Sequence, residues 1–201
     1  MKSIVFAACA IPLLVVGWDV AVEIRTPGSV FGADPAEAIV DLLGAWTIRL
    51  LLITLSVSTI ARILKRPRIV AFRRTIGLWT FAYACIHFSA YFTLLAELSV
   101  SAWVEDFSER TYITAGMTAL MLLIPLAVTS TRNWQRRLGP SWRKLHALIY
   151  PAAMAALLHV LWMAKASFLD TFVYGLVLAI LFAERIVVRI RRREGRRKFS
   201  R

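Results

Sequence analysis

Six stretches of this chain, near 4–22, 46–64, 76–97, 112–130, 145–163 and 168–188, run for roughly twenty residues with almost no charge. A hydrocarbon core ~30 Å thick needs about that length of helix. Backbone N–H and C=O groups find no water in lipid, so each must bond within its own segment or within a closed barrel. Runs of this length read as helices. The expectation is an all-α membrane protein, a six-transmembrane-helix bundle forming a single integral membrane domain over 1–201, with a basic tail at 189–201. Composition agrees: 59% of the residues are hydrophobic, well above the ~45–50% of soluble domains. A soluble chain of 201 residues cannot hide that much apolar surface in one core.

The connectors alternate in sign. Residues 23–44 hold Glu23, Asp34, Glu37 and Asp41 against Arg25, and 97–111 hold Glu97, Glu105, Asp106 and Glu109 against Arg110. By contrast 62–74 carry Arg62, Lys65, Arg66, Arg68, Arg73 and Arg74 with no acid, and 131–144 carry Arg132, Arg136, Arg137, Arg143 and Lys144. The 164–167 connector holds Lys165, and the chain is strongly basic from Arg185 onward. The positive-inside rule then places both termini and both basic connectors in the cytoplasm. Net charge of +13 is explained by the same rule and by anionic membrane lipid, so no nucleic-acid partner is expected. Cys9 and Cys85 lie in different apolar runs and form no C-x-x-C pair, so they read as small buried hydrophobes. No internal repeat is evident.

All three histidines lie in two spans that cross in the same direction. His87 is about eleven residues into the third span and His159 about fourteen into the fifth, depths of roughly 17 and 21 Å. The two can face each other at one level. His146 opens the fifth span, about 20 Å of helical rise from His159. Imidazole is a common axial ligand of haem iron, and two imidazoles from facing helices make a low-spin electron-transfer centre. The competing reading is a neutral ring hydrogen-bonded to a serine or a backbone carbonyl. Zinc fits less well, since there is no H-E-x-x-H and no carboxylate at those depths. On a straight helix His146 and His159 stand roughly 140° apart, and Pro151 between them can re-phase the helix.

Several other residues carry two readings. Arg73 and Arg74, where the third span begins, read first as topology anchors, and also suit a haem propionate or a flavin phosphate. Arg49, inside the second span, either snorkels or meets a propionate. Gly77 and Gly116 allow close approach of helices or of a macrocycle. Trp79, Trp134, Trp142 and Trp162 read as interfacial anchors, and Tyr83 and Tyr91, one turn either side of His87, as packing residues.

With the histidines placed, "FGADP" at 31–35, "RRTIGLW" at 73–79, "YACIHFSAY" at 83–91, "TSTRNWQRRLGPSWRKLHALIY" at 129–150 and "HVLW" at 159–162 together resemble the MsrQ (YedZ) family. That family lies within the larger group of ferric-reductase-like transmembrane domains. The resemblance implies haem b, one or two per chain, with His87, His146 and His159 as iron ligands. It implies electron transfer from the respiratory quinone pool to a periplasmic molybdopterin-dependent protein-methionine-sulfoxide reductase, as a heterodimer in the bacterial inner membrane. The chain is then an electron-transfer subunit, and catalysis belongs to its partner. Relatives are also described with FMN, although no flavin motif is legible here. The chain departs from the pattern at Asp41-Leu42-Leu43-Gly44, where relatives often have a histidine before Thr-Gly. It also has Arg74 thirteen residues before His87, where larger ferric-reductase-like proteins carry a second histidine. Rival readings are a transport or binding protein, or a structural anchor subunit, using the histidines for non-haem contacts.

The loop charges predict that a reporter fused after Arg201 is cytoplasmic and one inserted near Glu105 is periplasmic. Alkaline phosphatase and fluorescent-protein fusions at those two sites check it, and reversed activities contradict the six-span orientation.

Overall fold

The computed structural model describes residues 2–163 and 168–199; the connector 164–167, with Lys165, and the last two residues lie outside them. Among the described residues the chain is helical, without strands: α1 (Lys2–Arg25), α2 (Pro35–Ile63), α3 (Arg73–Ala90), α4 (Val100–Glu109), α5 (Thr111–Val128), α6 (Arg132–Leu138), α7 (Pro140–Leu145), α8 (Ile149–Met163) and α9 (Phe168–Phe199). Six helical segments are long and apolar enough to cross a membrane: Lys2–Arg25, Pro35–Ile63, Pro67–Leu95, Thr111–Val128, Pro140–Met163 and Leu169–Arg191. Helices of this number and length make a multi-pass membrane protein. Its outer faces expose Ile4, Leu14, Trp18, Leu161, Phe172 and Ile180, a surface that suits acyl chains and not water.

α2 begins at Pro35, well before the apolar run that marks it in the sequence. Asp34 caps it, its Oδ1 accepting from Glu37 N–H at 3.0 Å, and proline occupies the first position, where its missing N–H is no loss. The polar first turns therefore extend the helix beyond the apolar run. Just before it, the buried Glu23 carboxylate accepts the N–H groups of Gly28, Val30 and Phe31. Three donors on one carboxylate tie the 26–34 connector back onto the end of α1.

The third span is not uniform. A 3-10 turn, Pro67–Phe72, leads into α3, and a π-helical turn, Tyr91–Leu95, leads out. The chain then reverses through Glu97 and Leu98, both left-handed at φ +50° and +59°. The fifth span is broken as well, but not at the residue the sequence suggests. A 3-10 turn at His146–Leu148 separates α7 from α8. Pro151 falls in the first turn of α8, where a helix needs no N–H from it. The re-phasing of the fifth span thus lies at His146 itself. α9 continues beyond its apolar part to Phe199, so the basic tail extends the last helix.

α2 is the central helix. Ile48, Leu51, Leu52 and Leu55 pack with Ala84 of α3, Leu123 and Leu126 of α5, Ile149, Ala152 and Ala153 of α8, and Leu178 and Leu181 of α9. Its other side meets α1 and α3 around Cys9, Leu50, Val57, Ile76 and Tyr83. Tyr83 is fully buried, and its hydroxyl donates to the Cys9 carbonyl at 2.9 Å, joining α3 to α1. Small residues let these backbones approach: Thr54 and Thr80 hydroxyls meet at 3.3 Å, and a Cβ on Gly77 would stand 3.4 Å from Thr54 Cγ2.

Tyr83→Phe keeps the packing and removes the α1–α3 hydrogen bond. It should lower stability by about 1 kcal/mol with unchanged helical content, read by thermal unfolding in detergent.

Candidate functional site

α3 and α8 bring His87 and His159 together, with ring centroids 6.1 Å apart and planes at 73°. Each ring is held the same way. His87 Nδ1–H donates to the Val40 carbonyl of α2 at 3.0 Å, and His159 Nδ1–H donates to the Tyr112 carbonyl of α5 at 2.6 Å. This fixes the tautomer, leaving Nε2 of each ring with its lone pair free to bind a metal. Two metal–imidazole bonds of about 2 Å, plus the half-width of each ring, come to about 6 Å. The observed separation therefore suits one metal ion between the rings.

A bare ion needs more ligands than two imidazoles supply. Among the described residues no group of three or more His, Cys, Asp or Glu side chains converges. Iron in a tetrapyrrole brings four nitrogens of its own and asks the protein for just two axial ligands. The donor set fits that group.

Glycine makes each bond reachable. Gly44 follows Val40 by one helical turn, and Gly116 follows Tyr112 likewise. A Cβ on Gly44 would lie 2.9 Å from His87 Cε1, and one on Gly116 would lie 2.8 Å from His159 Nδ1. Any side chain there would stand between the carbonyl and the ring. Each glycine is a window onto the carbonyl behind it.

The two arrangements are copies in register. Both carbonyls lie 47 residues before their histidines. One constant displacement carries Val40 to Tyr112, Gly44 to Gly116, Leu51 to Leu123, Arg74 to His146, Thr80 to Ala152 and His87 to His159. Leu51 and Leu123 are both core residues, and Thr80 and Ala152 are almost wholly enclosed. The pair α2–α3 is thus repeated as α5–α8, which the sequence conceals because few of the matched residues are identical. It also locates Arg74: that position corresponds to His146, yet Arg74 is exposed.

A polar chain closes this end of the bundle. Tyr91, one turn beyond His87, donates its hydroxyl to Asp106 Oδ2 at 2.6 Å, and Arg110 pairs with Asp106 Oδ1 at 2.9 Å. Arg110 also donates to the Tyr112 hydroxyl at 3.2 Å, and it is the carbonyl of Tyr112 that holds His159. Tyr91 thus does more than pack. Arg49 donates through Nε to the Tyr174 hydroxyl at 3.0 Å and lies over the Trp46 ring. Its terminal nitrogens have no described partner, so they remain open to an anion. Trp103 packs edge-on against Phe88, and its indole N–H is buried without a partner.

His146 is held differently. Thr129 Oγ1 donates to the Pro125 carbonyl at 2.6 Å and so accepts from His146 Nε2–H at 3.1 Å. Trp142 stacks on the imidazole at 4.0 Å and donates its indole N–H to the Thr129 carbonyl at 3.0 Å, so it is more than an interfacial anchor. No second histidine faces His146. Arg73 lies half-buried on the wall of a cavity nearby.

Residues 43–157 match the family described as ferric reductase like transmembrane component. The chain is 37% identical over 199 residues to the protein-methionine-sulfoxide reductase heme-binding subunit MsrQ of Xanthomonas campestris pv. campestris strain B100, covering 99% of this chain and 91% of that protein. It is 38% identical to the MsrQ of Xanthomonas axonopodis pv. citri over 92% of this chain and 85% of that one. Against the MsrQ of Caulobacter vibrioides the identity is 38%, over 98% and 89%. The chain belongs to the MsrQ family. In this MsrQ-family chain all three histidines stand out in the sequence, whereas Gly44 shows there only as part of a departure from the family pattern and Gly116 only as a glycine that permits close approach. Comparison of the chain with itself at one displacement is the signal that finds both. The carbonyls of Val40 and Tyr112 have no sequence signature at all.

Because the two glycine windows are copies, Gly44→Ala and Gly116→Ala should each destabilise the protein, by about 1–3 kcal/mol for an overpacked contact. Thermal unfolding of the two purified variants checks both the size and the similarity of the losses.

Proposed function

We propose that this chain is a membrane cytochrome of the b type, the electron-transfer subunit of a protein-methionine-sulfoxide reductase system. The observation that carries the reading is the His87–His159 pair, 6.1 Å apart with both Nδ1 atoms committed to backbone carbonyls. The haem-binding name of the relatives supports it. Held there, haem b supplies a reversible one-electron iron couple.

The protein's part is orientation and exclusion. His87 and His159 would hold the group through Nε2, and the Val40 and Tyr112 carbonyls stop either ring from rotating and would strengthen it as a ligand. Gly44 and Gly116 keep the rings at their depth. The enclosing spans exclude water, so charge on a group held there would be felt at low dielectric by the few polar groups nearby. Arg49, through its terminal nitrogens, and Trp103, through its unpartnered indole N–H, are the donors we assign to the cofactor's carboxylates.

In this reading the basic connectors and both termini are cytoplasmic, and the His87–His159 site lies toward the periplasm. Electrons come from the quinone pool and leave to a soluble periplasmic molybdopterin-dependent reductase, which forms a heterodimer with this chain and performs the reduction. His146 serves a second cofactor near the cytoplasmic side, a further haem or FMN, at a site weakened because Arg74 stands where the repeat would place a second histidine. Ligation by His146 Nε2 would displace its bond to Thr129, which also favours weaker binding there.

His87→Ala or His159→Ala should remove the bis-imidazole low-spin haem and abolish electron delivery. His146→Ala should spare that haem and lose a second component. Absorption and electron paramagnetic resonance spectra with haem quantitation test this. Full haem content and normal reduction kinetics in both single variants would sink the pairing, and loss of all haem in folded His146→Ala would sink the two-site form.

A further inference from the structure

At the basic end of the bundle, residues of α2, α3, α7, α8 and α9 line a cavity of about 1180 Å³ that lies apart from the His87–His159 site. Five guanidinium groups line it, from Arg62, Arg73, Arg143, Arg185 and Arg189. Among the described residues one carboxylate answers them: Glu184, paired with Arg62 and bonded to Thr59. Arg185 is spent on the Leu55 and Leu181 carbonyls and lies over the Tyr150 ring. Arg73, Arg143 and Arg189 have no ion pair among the described residues. Converging guanidinium groups repel one another unless an anion joins them, and their planar forks match phosphate oxygens two at a time.

The rest of the lining says what the anion is attached to. Tyr150, Phe182, Ile186 and Val188 form the apolar wall. Ile186 is 59% exposed and Tyr150 36% exposed, and both lie on segments that cross the membrane. The cavity therefore opens onto the acyl-chain surface, with its arginines at the level where the basic connectors 62–74 and 131–144 meet the headgroups. A soluble phosphate would gain nothing from that wall, and its volume exceeds what a single phosphate fills.

We propose that this cavity is a site for an anionic phospholipid, whose phosphate esters join Arg73, Arg143 and Arg189 while its acyl chains lie along Tyr150, Phe182 and Ile186. A diphosphate headgroup of the cardiolipin kind fits best, because two phosphates answer three unpaired arginines. Basic pockets between membrane helices on the cytoplasmic side take such headgroups in general. The site stands apart from the His87–His159 pair, so its test does not depend on the haem assignment.

The test is native mass spectrometry of the full chain, delipidated in detergent and titrated separately with cardiolipin, phosphatidylglycerol, phosphatidylcholine and riboflavin 5′-phosphate. Cardiolipin should bind about tenfold or more tightly than phosphatidylcholine, and Arg143→Gln/Arg189→Gln should erase that preference while keeping helical content and thermal unfolding. Single Arg189→Gln, with a partial loss, serves if the double variant fails to fold. Equal binding of cardiolipin and phosphatidylcholine, or a preference unchanged in the variants, overturns the proposal. Saturable binding of riboflavin 5′-phosphate that the same variants abolish, without lipid preference, assigns the cavity to a soluble phosphate and also overturns it.

Discussion

The bond from each imidazole Nδ1–H to a carbonyl of the neighbouring helix organises this protein. In an interior without water, a ring nitrogen with no partner carries a penalty of roughly 1–3 kcal/mol. A helical carbonyl already serves its own helix, so it can take a second donor only from a direction its neighbours leave open. Gly44 and Gly116 leave that direction open. The same absence of a side chain brings α3 against α2 and α8 against α5, and this close approach sets the depth of both rings. What remains of each ring is a free Nε2, and the two rings stand 6.1 Å apart.

The two ends of the bundle are built on different physics. At the histidine end, Tyr91, Asp106, Arg110 and Tyr112 are joined in one polar chain, and the carbonyl of its last member holds His159. At the basic end, five arginines line one cavity, and among the described residues Glu184 pairs with Arg62 alone. The first arrangement is complete within the protein and stiffens the site. The second leaves positive charge unanswered where anionic headgroups lie. Repetition of the α2–α3 pair as α5–α8 explains why the first end is symmetric in its histidines. The exchange of Arg74 for a counterpart of His146 explains why the other end is not.

Much of this was legible in the residues themselves. Apolar run length determined the six crossings, because the bilayer core has one thickness and the helix one rise. Three histidines in two spans marked the candidate site, since a titratable group in lipid is rare enough to stand out against Leu, Val and Ala. Residue patterns carried less at the helix ends. The start of α2 depends on the Asp34 cap and Pro35, which extend a helix through polar turns. The break in the fifth span falls at His146–Leu148 and not at Pro151, because a proline in a first turn disturbs nothing.

The sequence alone determined that the chain crosses the membrane six times, how its charge alternates, and which side chains are able to bind a metal. These follow from solvation, a property of each segment taken one at a time. Matched depth already set His87 opposite His159, but only the tertiary structure decided that Val40 and Tyr112 supply the carbonyls and that Gly44 and Gly116 are needed beside the rings. It also decided that Arg73 faces a cavity while Arg74 faces outward. Those outcomes depend on the rotation of each helix about its own axis. That rotation is set by packing across α2, α3, α5 and α8 together, and no single segment contains it.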